Sequence, residues 1–134
     1  KKRSANNMSD NKIGTMAWLD LSVTNAEEVK SFYEDVIGWK SENITMGDYD
    51  DFAMLEPNNN EAVAGVCHAQ GVNKALPPAW LPYFLVADIE ASIAVVAAKG
   101  GALVTQVKSM GSDKYAVIKD PAGAACAIYQ KIAP

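Results

Sequence analysis

Histidine occurs once in the 134 residues, cysteine twice, and the only basic run is Lys1-Lys2-Arg3. Each scarcity excludes something. No Ser/His/Asp grouping is expected around the single histidine, and two cysteines are too few to staple a small secreted scaffold. With 12 Lys+Arg against 16 Asp+Glu, the formal charge is −4. Duplex affinity comes largely from Lys and Arg neutralising phosphates, so no nucleic-acid partner is expected. Long apolar runs are also missing: Ala91–Ala98, with Ser92 inside it, is far short of the ~20 residues of a membrane-spanning helix. What the chain does have is 49% hydrophobic residues at 21% charged. That composition forms a core, and this length suits one domain of roughly 100–150 residues. Residues 1–12 read as a polar, flexible leader, with Met8 a plausible original start. The expected compartment is the cytoplasm, with reduced thiols.

The most informative feature is internal. At an offset of 63 residues Val23 falls on Val86, Glu27 on Glu90, Gly38 on Gly101 and Ala53 on Ala116. Leu21 matches Phe84, Asn25 matches Asp88, Phe52 matches Tyr115 and Leu55 matches Ile118. Caps fall on caps and Gly on Gly, the mark of a duplicated unit.

Residues 16–23 alternate, with Leu19, Leu21 and Val23 on one face and Trp18, Asp20 and Ser22 on the other, which predicts a strand. Asn25 is placed as an N-cap with Glu28 completing a capping box. Val29, Phe32, Tyr33, Val36 and Ile37 recur at helical spacing, and Gly38 supplies a left-handed stop. Strands are expected at Trp39–Ile44, Phe52–Leu55 and Ala62–His68. Residues 71–80, with Pro77-Pro78, read as a linker. The second copy predicts a strand at Leu81–Val86, a helix capped by Asp88 and ending at Gly100-Gly101, and strands near Leu103–Val107, Tyr115–Ile118 and Ala124–Gln130. The expected fold class is therefore α+β: two tandem βαβββ modules (13–70 and 81–131) forming curled mixed sheets around a cleft, helices outside.

The string from Trp18 through Phe32-Tyr33 to Gly38-Trp39 resembles the opening of proteins in the glyoxalase/bleomycin resistance/extradiol dioxygenase (vicinal oxygen chelate) superfamily. Pro82-Tyr83-Phe84-Leu85-Val86-Ala87-Asp88-Ile89 is similar to the start of its second module, and Asp120-Pro121-Ala122-Gly123 to the turn before its last strand. In enzymatic members of that family, the resemblance implies, His and Glu from the first and last strands of each module hold a divalent metal. Those positions fall here on Trp18, Leu81, Ala127 and, on or near it, Cys67 beside His68. Three of the four cannot ligate, and one Cys does not complete a site. No cofactor or metal is expected.

The candidate ligand-binding residues are Trp18, Asp20, Phe52, Met54, Cys67, Tyr83 and Tyr129. Trp18 offers a stacking surface for a planar or cationic ligand, or fills the space of a metal. Asp20 is the best catalytic candidate, because a mid-strand carboxylate is costly to bury and can bind an ammonium or act as a base. Tyr83 and Tyr129 can donate hydrogen bonds. The facing of Phe52 and Met54 is open. Cys67 reads as a buried thiol, Cys126 as core and the run Asp48–Asp51 as a solvated turn. The expected function is metal-independent binding of an aromatic or cationic small molecule in the cleft between the modules, by a homodimer. The alternatives are a lyase/isomerase using Asp20 as base or a displaced divalent metal, and a scaffold with a plugged cleft.

Overall fold

A computed structural model describes residues 12–132 of the protein, so the expected leader lies, but for Lys12, outside the described residues. Among the described residues there are two α-helices, a short 3-10 turn (Gly71–Asn73) and nine strands, one strand more than two βαβββ copies require, in an α+β arrangement. None of the described helices is long and apolar enough to cross a membrane. The chain divides into two compact units, Trp18–Leu81 and Pro82 onward together with the segment up to Ala17. The start of the first strand is thus held by the second copy: Gly14 N–H donates to Leu85 O (2.8 Å) and Leu85 N–H to Thr15 O (2.9 Å).

In the first unit, β1 (Met16–Val23) leads into α1 (Ala26–Ile37), then β2 (Lys40–Thr45), β3 (Asp50–Leu55) and β4 (Ala62–His68). The strand order is β2-β3-β4-β1. β4 runs parallel to β1, with Asp20 opposite Gly65 and Ser22 opposite Cys67. Alternation sends Leu19 and Val23 to the α1 side, where Ala26, Phe52, Met54, Ala64 and Val66 form a buried core with Val29 and Tyr33. The expected stripe on α1 is only partly right. Val29 and Tyr33 pack inward, while Phe32, Val36 and Ile37 are more than half exposed. The capping box is also replaced. Asn25 makes no cap and instead donates from Nδ2 to Glu28 Oε1 at 3.0 Å. Gly38 does stop the helix as expected, at φ +91°, its N–H on Glu34 O.

The linker is less of a spacer than its prolines suggest. Trp80 packs against the first core, its Nε1 donating to Tyr33 Oη at 3.1 Å, and its ring lies 5.3 Å from that of Tyr33 and 6.1 Å from that of Trp39. Such edge-on aromatic contacts contribute beyond the area they bury.

In the second unit, β5 (Leu81–Leu85) and α2 (Ile89–Val96) are followed by β6 (Ala102–Leu103), β7 (Lys108–Met110), β8 (Asp113–Lys119) and β9 (Ala125–Gln130). The order is β5-β9-β8-β6, with β7 also on β8. The strand expected at Leu103–Val107 is therefore broken. Val104 and Thr105 N–H both turn to Val117 O, and the Thr105 hydroxyl accepts from Val117 N–H at 3.0 Å. A side-chain oxygen thus stands in for one rung of the ladder, and pairing resumes at Lys108. On the α2 side, Ile89, Ala116 and Ile128 form the core with Val86, Ile93 and Ile118.

Candidate functional site

The faces turned away from the helices are where the candidate side chains gather. On β1, period-two alternation puts Trp18, Asp20 and Ser22 on that face, and the β1–β4 register places Gly65 and Cys67 beside them. The indole Nε1 of Trp18 donates to Asp20 Oδ1 at 2.6 Å. This contact is short, as expected for a donor on a charged acceptor. Directly across lies Gly65. A Cβ there would collide with Asp20 Oδ1 and stand 3.5 Å from the Trp18 nitrogen. The missing side chain is what gives the carboxylate its place against the strand.

Cys67 is flanked by carboxylates on both neighbouring strands. Burial pushes its thiol pKa far up, and Asp20 and then Asp51 push it further. Both effects favour the neutral thiol, which disfavours Cys67 as a nucleophile. Asp51 went unrecognised in the sequence, where its acidic run reads as a solvated turn. It is only 6% exposed, with Oδ1 accepting His68 N–H at 2.8 Å and 3.3 Å from His68 Nδ1. His68 itself packs toward Phe52, their ring centroids 6.3 Å apart. Once the structure places Phe52 in the core, alternation turns Asp51, one residue before it, to the other face.

Phe52 and Met54 do not join this group. Both lie in the α1-side core, Phe52 beneath Lys30 Nζ at 4.8 Å. The structure brings Trp18, Asp20 and Cys67 together and sets these two apart.

The second unit carries its own polar aromatic cluster. Tyr83, Leu85, Ala127 and Tyr129 share the face away from α2, and Tyr115 pairs with Tyr129 across β8–β9. Tyr83 stands 5.8 Å from Tyr115 and 6.5 Å from Tyr129 between ring centroids. Tyr115 was missed because it is read from sequence only as a strand start. The Tyr129 hydroxyl, expected to donate to a ligand, already donates to Asp113 Oδ2, whose other oxygen accepts Ile132 N–H at 2.9 Å. Burial and then this bond push the Tyr129 pKa up to about 12, while the same bond and then the Ile132 N–H hold Asp113 below the usual carboxylate range. Cys126 points to the helix side, as expected from alternation, and its thiol pKa is raised by burial.

The four positions that the resemblance assigns to metal ligands do not fit a divalent ion. Leu81 and Ala127 are buried hydrocarbon and the Trp18 nitrogen is a donor only, which leaves Cys67 as the one donor atom of the four. Among the described residues, no three His, Cys, Asp or Glu side chains are grouped to hold a metal.

Comparisons with known proteins carry the same picture of the fold. The family model described as Glyoxalase/Bleomycin resistance protein/Dioxygenase superfamily matches residues 15–128. "Putative glyoxylase CFP32" of Mycobacterium tuberculosis is 29% identical over 124 residues, 91% of this chain and 48% of that protein. "Anthracycline biosynthesis protein DnrV" of Streptomyces peucetius is 28% identical over 134 residues, 88% of this chain and 47% of that protein. The chain thus spans about half the length of these relatives. Among solved structures, a superfamily member from Vibrio splendidus matches with a TM-score of 0.56 at 19% identity, covering 87% of this chain and all of that one. Methylmalonyl-CoA epimerase from Mycobacterium tuberculosis matches at 0.54 and 14% identity, covering 90% and 89%.

Two predictions come from this geometry. Gly65→Ala should cost about 1–3 kcal/mol in urea unfolding by displacing Asp20, and clearly less when Asp20 is already Ala. Simple additivity in that double-mutant cycle would deny the close approach. Tyr129 should ionise near pH 12 rather than near 10, and Asp113→Asn should bring it only partway back, since burial remains. Its folded pKa is raised, so its share of stability is full below pH 10 and lost as pH climbs through 12. Asp113, held low, contributes above the ordinary carboxylate pKa and loses that share as pH falls through its own. Ultraviolet titration against Tyr129→Phe, with unfolding midpoints at each pH, checks both.

Proposed function

The chain belongs to the glyoxalase/bleomycin resistance protein/dioxygenase superfamily, and from that premise we propose that it binds a small aromatic or cationic molecule without a metal. The observation that supports this reading is the Trp18–Asp20 pair seated over Gly65. Trp18 stands where the resemblance assigns a metal-binding side chain. The indole offers area and a π-face to a planar or cationic group. Asp20 is fixed by the indole N–H, and Asp51 adds a second buried negative charge near Cys67, so the face favours a cation over an anion. A ligand ammonium on Asp20 would make a charge-assisted hydrogen bond.

A second reading has Asp20 as the general base of a lyase or isomerase. It is favoured by the position of the carboxylate, half-buried and oriented by the Trp18 indole N–H. The names of the relatives, a glyoxylase and a protein of anthracycline biosynthesis, and the epimerase neighbours describe those proteins; they are compatible with either reading. A homodimer in the cytoplasm completes the proposal, the dimer from the family resemblance and the compartment from the composition.

Benzylamine and its neutral counterpart benzyl alcohol separate the possibilities. Benzylamine should raise the melting temperature saturably and benzyl alcohol much less. Asp20→Asn should weaken benzylamine binding by about ten- to a hundredfold, the weight of one hydrogen bond to a charged group. Equal binding to the Asn variant would remove Asp20 from the site. For any compound the protein turns over, the enzyme reading expects the Asn variant to keep its affinity and lose its rate.

A further inference from the structure

The surface around the outer side of each helix is made twice, and the two copies have diverged in opposite senses. At the 63-residue offset Phe32 falls on Val95, Val36 on Lys99 and Glu56 on Lys119. On α1, Phe32 and Val36 stand one turn apart, 55% and 62% exposed. Glu28 and Asp35, both exposed, lie about one turn to either side of Phe32, so the apolar ridge has acidic flanks. The Phe32 ring is held edge-on to that of Tyr33, with centroids 5.1 Å apart.

The matching surface on α2 is a hollow. A cavity of about 190 Å³ is lined by Val95 and Val96 of α2, Ile118 of β8 and Pro121. Gly101 brings the turn after α2 against β8, where a Cβ would stand only 2.5 Å from Lys119 O. Lys99 and Lys119 also line the hollow, and neither makes an ion pair among the described residues. Asp120, the acidic residue of the wall, is tied to the Ala122 and Ala124 N–H groups.

Size and charge point to the same occupant. A hydrocarbon-lined cavity of about 150 Å³ admits a benzene ring, so this one has room for a phenylalanine side chain. The acidic flanks of α1 repel a second α1 and attract the two lysines. We propose that the hollow on α2 takes Phe32 from a second copy of this chain, with Glu28 and Asp35 turned to Lys99 and Lys119. A two-fold axis repeats the contact, α1 of each copy on the α2 hollow of the other, and closes a dimer. This contact rests on the homodimer of the proposed function, whose surface it names, and is independent of the ligand.

Sedimentation of the whole chain over a range of concentrations reads the dimer. Phe32→Glu and Val95→Glu, both at positions more than half exposed in the single chain, should leave the circular dichroism unchanged. Each should weaken dimerisation about thirtyfold or more, the weight of a hot-spot side chain. Mixed together, the two variants should associate more tightly than either alone, since one keeps the hollow and the other the ridge. Lys99→Glu should weaken dimerisation about tenfold at low salt. A dimer indifferent to Phe32→Glu or to Val95→Glu, or no recovery in the mixture, would overturn this contact and leave the homodimer standing. A monomer at every concentration would overturn both.

Discussion

A carboxylate in the middle of a strand has to be matched, and the way Asp20 is matched shapes the first module. Its neighbour across the parallel ladder is Gly65, whose missing Cβ leaves room for the carboxylate, and its neighbour two residues back is Trp18, whose indole N–H reaches it. An unpaired carboxylate would be costly there, and a larger residue at 65 would expel it. The pair fills a position that the family resemblance gives to a metal ligand. Burial first, and then Asp20 and Asp51, push the Cys67 thiol pKa up, so the neutral thiol packs beside the pair.

The same βαβββ plan is executed twice with different polar solutions. In the second module the face away from the helix holds three tyrosines and the Tyr129–Asp113 bond in place of the indole–carboxylate pair. Its second strand is broken, with the Thr105 hydroxyl standing in for a backbone rung. Its helix is capped by side chains, whereas α1 is not. Duplication supplies the frame, and divergence at its polar positions separates what each copy can bind.

Much of this was legible from the residues. Period-two alternation placed Trp18, Asp20 and Ser22 on one face, separated Cys67 from His68 and sent Cys126 to the helix side, because strands with a clear polar face announce their phase. β3 did not. Asp50-Asp51-Phe52-Ala53-Met54-Leu55 has apolar residues in both phases, and its register with β4 shifts between Met54 and Leu55. Phe52 and Met54 therefore gave no sign that they face α1, and buried Asp51 was hidden inside an acidic run. Helical spacing likewise could not tell that Phe32, Val36 and Ile37 stay exposed, since it marks a stripe without saying how much of it the sheet covers. Trp80, beside a Pro-Pro pair, reads as linker until its contact with Tyr33 is seen.

The central proposal is that, in the first module, an indole–carboxylate pair over a glycine stands in for metal ligation. Calorimetric titration of the metal-stripped chain with Zn²⁺, Ni²⁺ and Mn²⁺ tests it most directly, run beside Asp20→Asn. The account predicts no saturable site at one ion per chain, and the same flat response in the variant. One equivalent of any of these ions, bound tightly and lost with Asp20, would contradict it.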